Sequence, residues 1–381
     1  MMRVLEVVYE FDYGGIRAFI MNYLKYLNKN KFQVDIYAFG CSGSPFTKQV
    51  EDLGARIFFE PENNVRKIGK FVDQLKTFMK ENGPYDVVHA NNNLISAWVL
   101  LAAKLSGVPI RLSHSHSTGH FSGSFVQKAY CYFRRYMIDC LATEKLACGK
   151  LAGEAMYGKH SKFEIITNGI SMERFMHCDE KRIEELRYKL NIPKNVKIYA
   201  NVTRMDSGKN HLFAVDVFYE IHKIDPNAIF LYGGVTPNIL STLDEVKAKI
   251  NEYGLTDFCR YTGPIMDVEQ LYHMTDLWIY CSKYEGLPFG PIELQAASIP
   301  ILASDVITKE IDLNLGLVHF LSLNDSPKKW AELAVKTQKE QIQDSTIIDA
   351  FHKSNFDILQ GVKRLESIYA GHNIKNRKYS N

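Results

Sequence analysis

"VKIYANVTRMDSGKNHLFAVDVFYEIHKI", residues Val196–Ile224, decides how the chain is read. It opens with "VKIYANVT", short, apolar and β-branched, the composition of a buried strand. It closes with "HLFAVDVFYEIHKI", whose apolar residues recur at helical spacing. Between the two lies a polar turn that holds Arg204, Asp206, Ser207, Gly208 and Lys209. Strand, polar turn and helix form the repeating unit of a parallel sheet wound with helices. Here that unit starts afresh near the middle of a 381-residue chain.

The same alternation extends in both directions. Before the quoted stretch, "RVLEVVYEF", "QVDIYAF", "ARIFF", "DVVHA", "PIRLSHS", "KLACG" and "FEIIT" read as strands. "IRAFIMNYLKYLNK", "VRKIGKFVDQLKTFMKEN", "LISAWVLLAAKLSG" and a stretch over about 123–142 read as helices. After it, "AIFLYGG", "FCRYTG", "LWIYCS" and "PILASD" are strands separated by helical segments. The expected fold is α/β, with two Rossmann-like doubly wound domains facing across a cleft. The first covers residues 1–168, with a helix over about 355–381 packing back on it. The second covers 169–354, and its opening part, 169–195, reads as a charged linker without a strong strand. The tail "HNIKNRKYSN" reads as frayed.

Composition is that of an ordinary globular protein, 46% hydrophobic and 23% charged, and the length suits two domains. A net charge of +3 is too small to point to nucleic acid. Seven scattered cysteines with no CxxC or zinc-type spacing read as reduced thiols. "MMRVLEVVYEF" is too short and too charged for a signal peptide, and no uncharged apolar window of about 18 residues appears. A cytoplasmic protein is expected, with at most peripheral contact with a membrane.

In open parallel sheets ligands bind at the carboxyl ends of strands. Gly14–Gly15, His89, His114–His116, Arg204–Lys209, Gly263–Ile265 and Glu285 all follow expected strands. "YEGLPFGPIELQAA", Tyr284–Ala297, places Glu285 and Glu293 on either side of a loop rich in glycine and proline. Pro291 suits the first position of a short helix, which puts Glu293 in its first turn. The N–H groups of Leu287, Phe289, Gly290 and Ile292 then lie near the positive helix end and suit phosphate. Carboxylates suit paired hydroxyls, so the loop as a whole fits a sugar joined to phosphate. The plainer alternative is a helix start whose Glu293 merely favours the dipole.

Arg204 and Lys209 suit a diphosphate, the arginine as a planar fork and the lysine as a point charge. No GxxxxGK[ST] is present, so this is no P-loop, and a solvated surface turn is the alternative. His114 and His116 alternate along a strand and share a face, with His120 beyond them. They read as cleft residues or as satisfied structural histidines. Metal lacks a regular local ligand set. His89 and Asn91, in "DVVHANNN", suit an acceptor pocket together with His114. The single Gly14–Gly15 fits a tight turn and close approach to a ligand, without a GxGxxG fingerprint.

In this order the pieces resemble the retaining glycosyltransferases of family 4, the group 1 enzymes of GT-B fold, especially those of bacterial capsule and exopolysaccharide synthesis. The resemblance rests on "GGIRAFIMNYL" (14–24), "DVVHANN" (86–92), "IRLSHSHST" (110–118) and "IITNGI" (165–170). It rests further on "TRMDSGKNH" (203–211) and the E-x7-E of "EGLPFGPIE" (285–293). It implies that Arg204 and Lys209 bind the donor diphosphate and that Glu293 holds the ribose hydroxyls. Glu285 would contact the hexose, helped by backbone near Phe289–Gly290, and the main chain of Ile265 would read the base. His116 would lie beside the transferred sugar, and Gly15 would let its loop close over the phosphates. The donor implied is a nucleotide sugar, often UDP-linked, with no cofactor and no divalent metal. Attack on the same face as departure would let the leaving phosphate take the acceptor's proton, so neither glutamate need be a nucleophile, unlike in retaining glycosidases. Gly290–Pro291, Ser298 and Ser117–Thr118 depart from the common family pattern without removing an acid or a cation.

The stretch "SFVQKAYCYFRRYMIDCLATEK", 124–145, mixes aromatics with Lys128, Arg134, Arg135 and Lys145, as an amphipathic helix on anionic lipid would. A packed helix with a solvated basic face is the alternative; with membrane contact, a lipid-linked saccharide joins a free saccharide as the expected acceptor. A nucleotide-sugar epimerase and a non-catalytic nucleotide-sugar-binding protein are the alternatives of other classes.

Overall fold

The computed structural model describes residues 1–60, 62, 64–118, 124–234, 241–264 and 267–371. The chain divides into two compact units, Met1–Ile170 with the C-terminal segment from Asn355, and Ser171–Ser354. The first unit holds a seven-stranded sheet of β1 (Met2–Val8), β2 (Phe32–Phe39), β3 (Arg56–Glu60), β4 (Val87–Ala90), β5 (Ile110–Ser115), β6 (Glu144–Ala147) and β7 (Glu164–Ile165). Their order is β3-β2-β1-β4-β5-β6-β7, and every pair is parallel.

The second unit holds a six-stranded sheet of β8 (Ile198–Val202), β9 (Ile229–Gly233), β10 (Cys259–Tyr261), β11 (Leu277–Tyr280), β12 (Ile301–Ser304) and β13 (Val318–Leu321). Its order is β10-β9-β8-β11-β12-β13, again parallel throughout. Both units are Rossmann-like. In each, the order reverses once, between β1 and β4 and between β8 and β11. At such a reversal the loops leaving adjacent strands part and open a crevice.

Strands covered on both faces are apolar almost without break. Val4, Leu5, Val7 and Val8 of β1 and Ile198, Tyr199 and Ala200 of β8 are all buried. Phe39, Val88 and Trp98 belong to one core, and Phe218, Phe230, Ile279 and Trp330 to the other.

The segment expected as a linker is built into the second unit. The short helix Glu180–Lys189 lies against the helix Val268–Met274, and the short helix Glu173–Met176 against the helix Phe289–Ala296. Arg174 pairs with Glu269 at 3.0 Å, Arg182 pairs with Asp267, and the Asp179 N–H donates to Gln270 at 3.0 Å. The charged run is thus paired with opposite charges at the helix Val268–Met274. At the other end, Ile170 and Asp357 form a parallel bridge, so the chain leaves and re-enters the first unit side by side. The returning helix Ile358–Tyr369 packs on the helix Gly15–Tyr26, with Gly361 seated against the Tyr23 ring. The tail from 372 lies outside the described residues.

Candidate active site

The site in the second unit is made by the loops after β8 and β11, at the strand-order reversal. The β8 loop carries Arg204 and then a short turn, Ser207–Lys209, before the helix His211–Ile224. Asp206 shapes it: one carboxylate oxygen accepts the Gly208 N–H at 2.9 Å, and the other pairs with Arg204 at 2.6 Å. The buried Cys281 thiol, at the end of β11, reaches the Asn210 carbonyl at 3.4 Å, and the Lys283 N–H donates to the Gly208 carbonyl at 2.8 Å. Gly208 lets the Tyr284 ring lie close against the turn, where a Cβ would stand 2.8 Å from the end of that ring. These ties hold the two loops in one register and bring Lys209 into an ion pair with Glu285.

Two tyrosines that the sequence presents only as strand and helix residues hold the two acids. Tyr280 donates to Glu285 Oε1 at 3.0 Å, and Tyr272 donates to Glu293 Oε2 at 2.7 Å. Burial, reinforced by the adjacent carboxylate, pushes both phenols well above their ordinary range, so they remain donors. Gly290 sits close by, its Cβ position 3.6 Å from the Tyr280 ring.

The helix starts at Phe289, with Pro288 extended before it, so Pro291 is its third residue and Glu293 its fifth. Glu293 therefore lies beyond the first turn, which corrects the sequence expectation. Proline is tolerated through that turn because its missing N–H has no intrahelical acceptor to lose. The N–H groups of Phe289 and Gly290 fall in the first turn, and Leu287 is buried just ahead of them. Gln295 anchors the helix by donating to the Pro291 and Ile311 carbonyls at 2.8 and 2.7 Å. Ile265 lies outside the described residues.

In the first unit the histidines end their strands on the face of the sheet that meets the helix Gly15–Tyr26. Phe19 of that helix stands edge-on to His114 and His116, with ring centres at 4.9 and 5.2 Å. His89 and His114 are fully buried. The Nδ1 of His89 faces Glu6 and Tyr369, and its Nε2 meets His114 Nδ1 at 3.1 Å. Asn91 is also fully buried, bonded to Glu6 and to His116. The expectation that His89, Asn91 and His114 touch an acceptor is thus corrected: no surface of theirs is open to one, and their polar atoms bond one another. His116 alone of the three histidines is partly exposed. Burial, with His89 nearby, holds its imidazole down to about 3, and His114 is likewise held well below the ordinary range. Both rings are neutral at pH 7. Among the described residues no group of three or more His, Cys, Asp or Glu is placed to hold a metal ion. His120 lies outside those residues.

Gly14 is extended (φ 172°) at the start of its helix, and a Cβ on Gly15 would meet nothing within 4 Å. The backbone itself does not demand glycine at either position, contrary to the tight turn expected.

Comparison with known proteins agrees with this architecture. Residues 13–174 match the family model "Glycosyltransferase Family 4", and residues 182–313 match "Glycosyl transferases group 1". EpsF of Bacillus subtilis (strain 168), a glycosyltransferase by designation, is 28% identical over 100% of this chain and 98% of its own. The capsular polysaccharide biosynthesis glycosyltransferase CapH of Staphylococcus aureus is 23% identical over 97% of this chain and 99% of its own. Among solved structures, Anabaena HepE in complex with UDP-glucose superposes with a TM-score of 0.79 at 15% identity, covering 97% of this chain and all of that one. With both halves of the chain matched in order, and the cations and acids joined at the strand-order reversal, the protein belongs to the group 1 glycosyltransferases of family 4, a GT-B glycosyltransferase.

Proposed function

We propose that the chain transfers a hexosyl or N-acetylhexosaminyl group from a UDP-sugar, with retention, to a saccharide or lipid-linked saccharide in surface polysaccharide synthesis. The observation that carries this reading is the joined pair Lys209–Glu285, flanked by Arg204 and by the Tyr272–Glu293 pair. Cations there suit a leaving diphosphate, and oriented carboxylates suit hydroxyls. Arg204 and Lys209 hold the diphosphate, Glu293 the ribose, and Glu285 the hexose. No divalent metal is called for, because two side-chain cations supply the charge. The UDP-glucose bound by HepE and the polysaccharide role in CapH's name favour this donor class and pathway. Epimerase and non-catalytic binding readings are not favoured in a glycosyltransferase family.

The test is a thermal-shift screen of nucleotide diphosphates and nucleotide sugars with EDTA present, followed by anomeric analysis of the product. Selective stabilisation by UDP and one UDP-sugar is expected, by roughly 2.7 kcal/mol at a hundredfold excess over Kd. Stabilisation only by another nucleotide would replace the donor, and an inverted product would remove retention.

A second prediction concerns Tyr272. Tyr272→Phe removes the hydroxyl that aims Glu293 and keeps the ring. The KM for the donor is expected to rise about tenfold, the value of one hydrogen bond to a charged group, with kcat little changed. An unchanged KM would take Glu293 out of donor binding.

The acceptor side of the proposal rests on the helix Phe125–Leu141. Among the described residues, no helix is long and apolar enough to cross a membrane. This one instead leaves Phe125, Val126, Tyr132, Phe133 and Tyr136 exposed at helical spacing. Lys128 is exposed beside them, and Arg134 stacks on Tyr130 at 4.4 Å. Aromatics with interleaved cations are complementary to an anionic lipid surface. Co-sedimentation with anionic vesicles is expected, and it should fall at least tenfold when Phe125, Tyr132, Phe133 and Tyr136 are all changed to Ser. Equal sedimentation of both proteins would take these aromatics out of membrane contact, and no sedimentation of the parent would leave only a free saccharide as acceptor.

A further inference from the structure

Glu6 has no role in the motifs described above, yet three side chains converge on it. It is a buried acid on β1, in register with His89 on β4. The Tyr369 hydroxyl donates to Oε1 at 2.6 Å, His89 Nδ1 lies 3.0 Å from the same oxygen, and Asn91 Nδ2 donates to Oε2 at 2.7 Å. Tyr369 comes from the returning C-terminal helix, so the network depends on that helix being docked.

A carboxylate offers acceptors only, which gives the network a direction. The amide of Asn91 has Nδ2 facing two acceptors, Glu6 Oε2 and the His89 carbonyl at 3.3 Å. Its Oδ1 is therefore turned the other way, where it lies 2.8 Å from His116 Nε2. A carbonyl oxygen accepts, so Nε2 carries the proton. A neutral imidazole has one N–H and one lone pair, which makes Nδ1 an acceptor. The same carboxylate accepts from His89 Nδ1, and His89 Nε2 lies 3.1 Å from His114 Nδ1. One buried acid thus sets the polarity of the Asn91–His116 pair, and the His116 ring is tilted on that of His114 with centres 4.0 Å apart.

We infer that Glu6, acting through Asn91, is a positioning residue that fixes the His116 proton on Nε2 and presents Nδ1 as the acceptor for a sugar hydroxyl. The hydroxyl part of this inference rests on the proposed donor chemistry; the tautomer does not.

The test is nitrogen NMR on the full chain with 15N-labelled histidine, with the His116 signal identified by its loss in His116→Gln. The unliganded protein is expected to show one His116 tautomer, protonated at Nε2. Asn91→Leu removes the acceptor, and Glu6→Gln lets the Asn91 amide turn over. In either variant His116 is expected to shift to a mixture containing the Nδ1–H form, while UDP affinity, set in the other unit, stays within twofold. A mixed or Nδ1-protonated His116 in the parent protein overturns the inference without any variant being made. Persistence of Nε2–H alone in both folded variants overturns it as well. If the tautomer behaves as stated but no UDP-sugar binds, the donor reading fails and the positioning role stands.

Discussion

Lys209→Ala is expected to lower sugar transfer by about two to three orders of magnitude, the usual cost of removing one group that stabilises charge developing on a leaving group. The unit around it is expected to stay folded. Lys209 lies on a short turn pinned by Asp206 and by the Lys283–Gly208 backbone bond, neither of which involves its side chain. The Lys209 side chain is 17% exposed and that of the paired Glu285 12%, so the pair is partly screened and its loss costs less than that of a fully buried pair. Glu285 also keeps its bond from Tyr280. Glu285→Ala is expected to lose transfer to a similar degree, and the double variant hardly more than either single one, because the two side chains act as a unit. Product formation and melting temperature, measured together, separate this from unfolding. Near-normal turnover by either variant, or fully additive losses, would contradict the shared role.

The alternation of strand and helix was legible because parallel strands are buried on both faces and therefore spell unbroken apolar runs, as in "RVLEVV" and "WIYC". β13, "VHFL", was passed over: it is four residues long and carries a histidine on the sheet's outer edge. The run 169–195 looked like a linker because what holds it lies far away in sequence: burial of Met172, Phe175 and Met176, and pairing with Asp267 and Glu269, which local pattern does not reveal. Arg204, Lys209 and Glu285 stood out because they lie in loops that follow strands, where parallel sheets bind ligands, and Glu293 because it closes the E-x7-E around a glycine- and proline-rich loop. Tyr272 and Tyr280 did not, since an aromatic at a helix or strand position reads as core, and only the fold shows its hydroxyl aimed at an acid. His89 and His114 show the reverse case. Their strand-end positions looked open to a ligand, and only the packed helices Gly15–Tyr26 and Ile358–Tyr369 show them enclosed, with Glu6 and Tyr369 as partners.

Gly234→Ala is expected to damage both stability and activity, although the residue carries no side chain and lies in no motif. Gly234 follows β9 with φ near +120°, a region that residues with a Cβ scarcely enter. A Cβ there would stand 2.2 Å from the Thr203 carbonyl oxygen and 2.8 Å from its carbon. Both atoms are backbone, so no rotamer change relieves the clash, and the β8 loop must move. Thr203 is held by the Gly233 carbonyl at 2.8 Å, its hydroxyl lies 3.2 Å from the buried His211, and the next residue is Arg204. Displacing Thr203 therefore displaces Arg204, the residue proposed to hold the diphosphate, directly. Backbone strain with an unrelieved clash costs on the order of 3 kcal/mol, which lowers the melting temperature of a unit this size by about 10 °C. Transfer is expected to fall at least tenfold at temperatures where the variant is fully folded. Gly254→Ala is the control. Its φ of +67° is also left-handed, but its Cβ would meet nothing within 4 Å, so strain alone, about 1 kcal/mol, applies. Equal destabilisation by the two substitutions would show that the contact with Thr203 carries no weight. Full activity in folded Gly234→Ala would show that Arg204 does not depend on the position of the β8 loop.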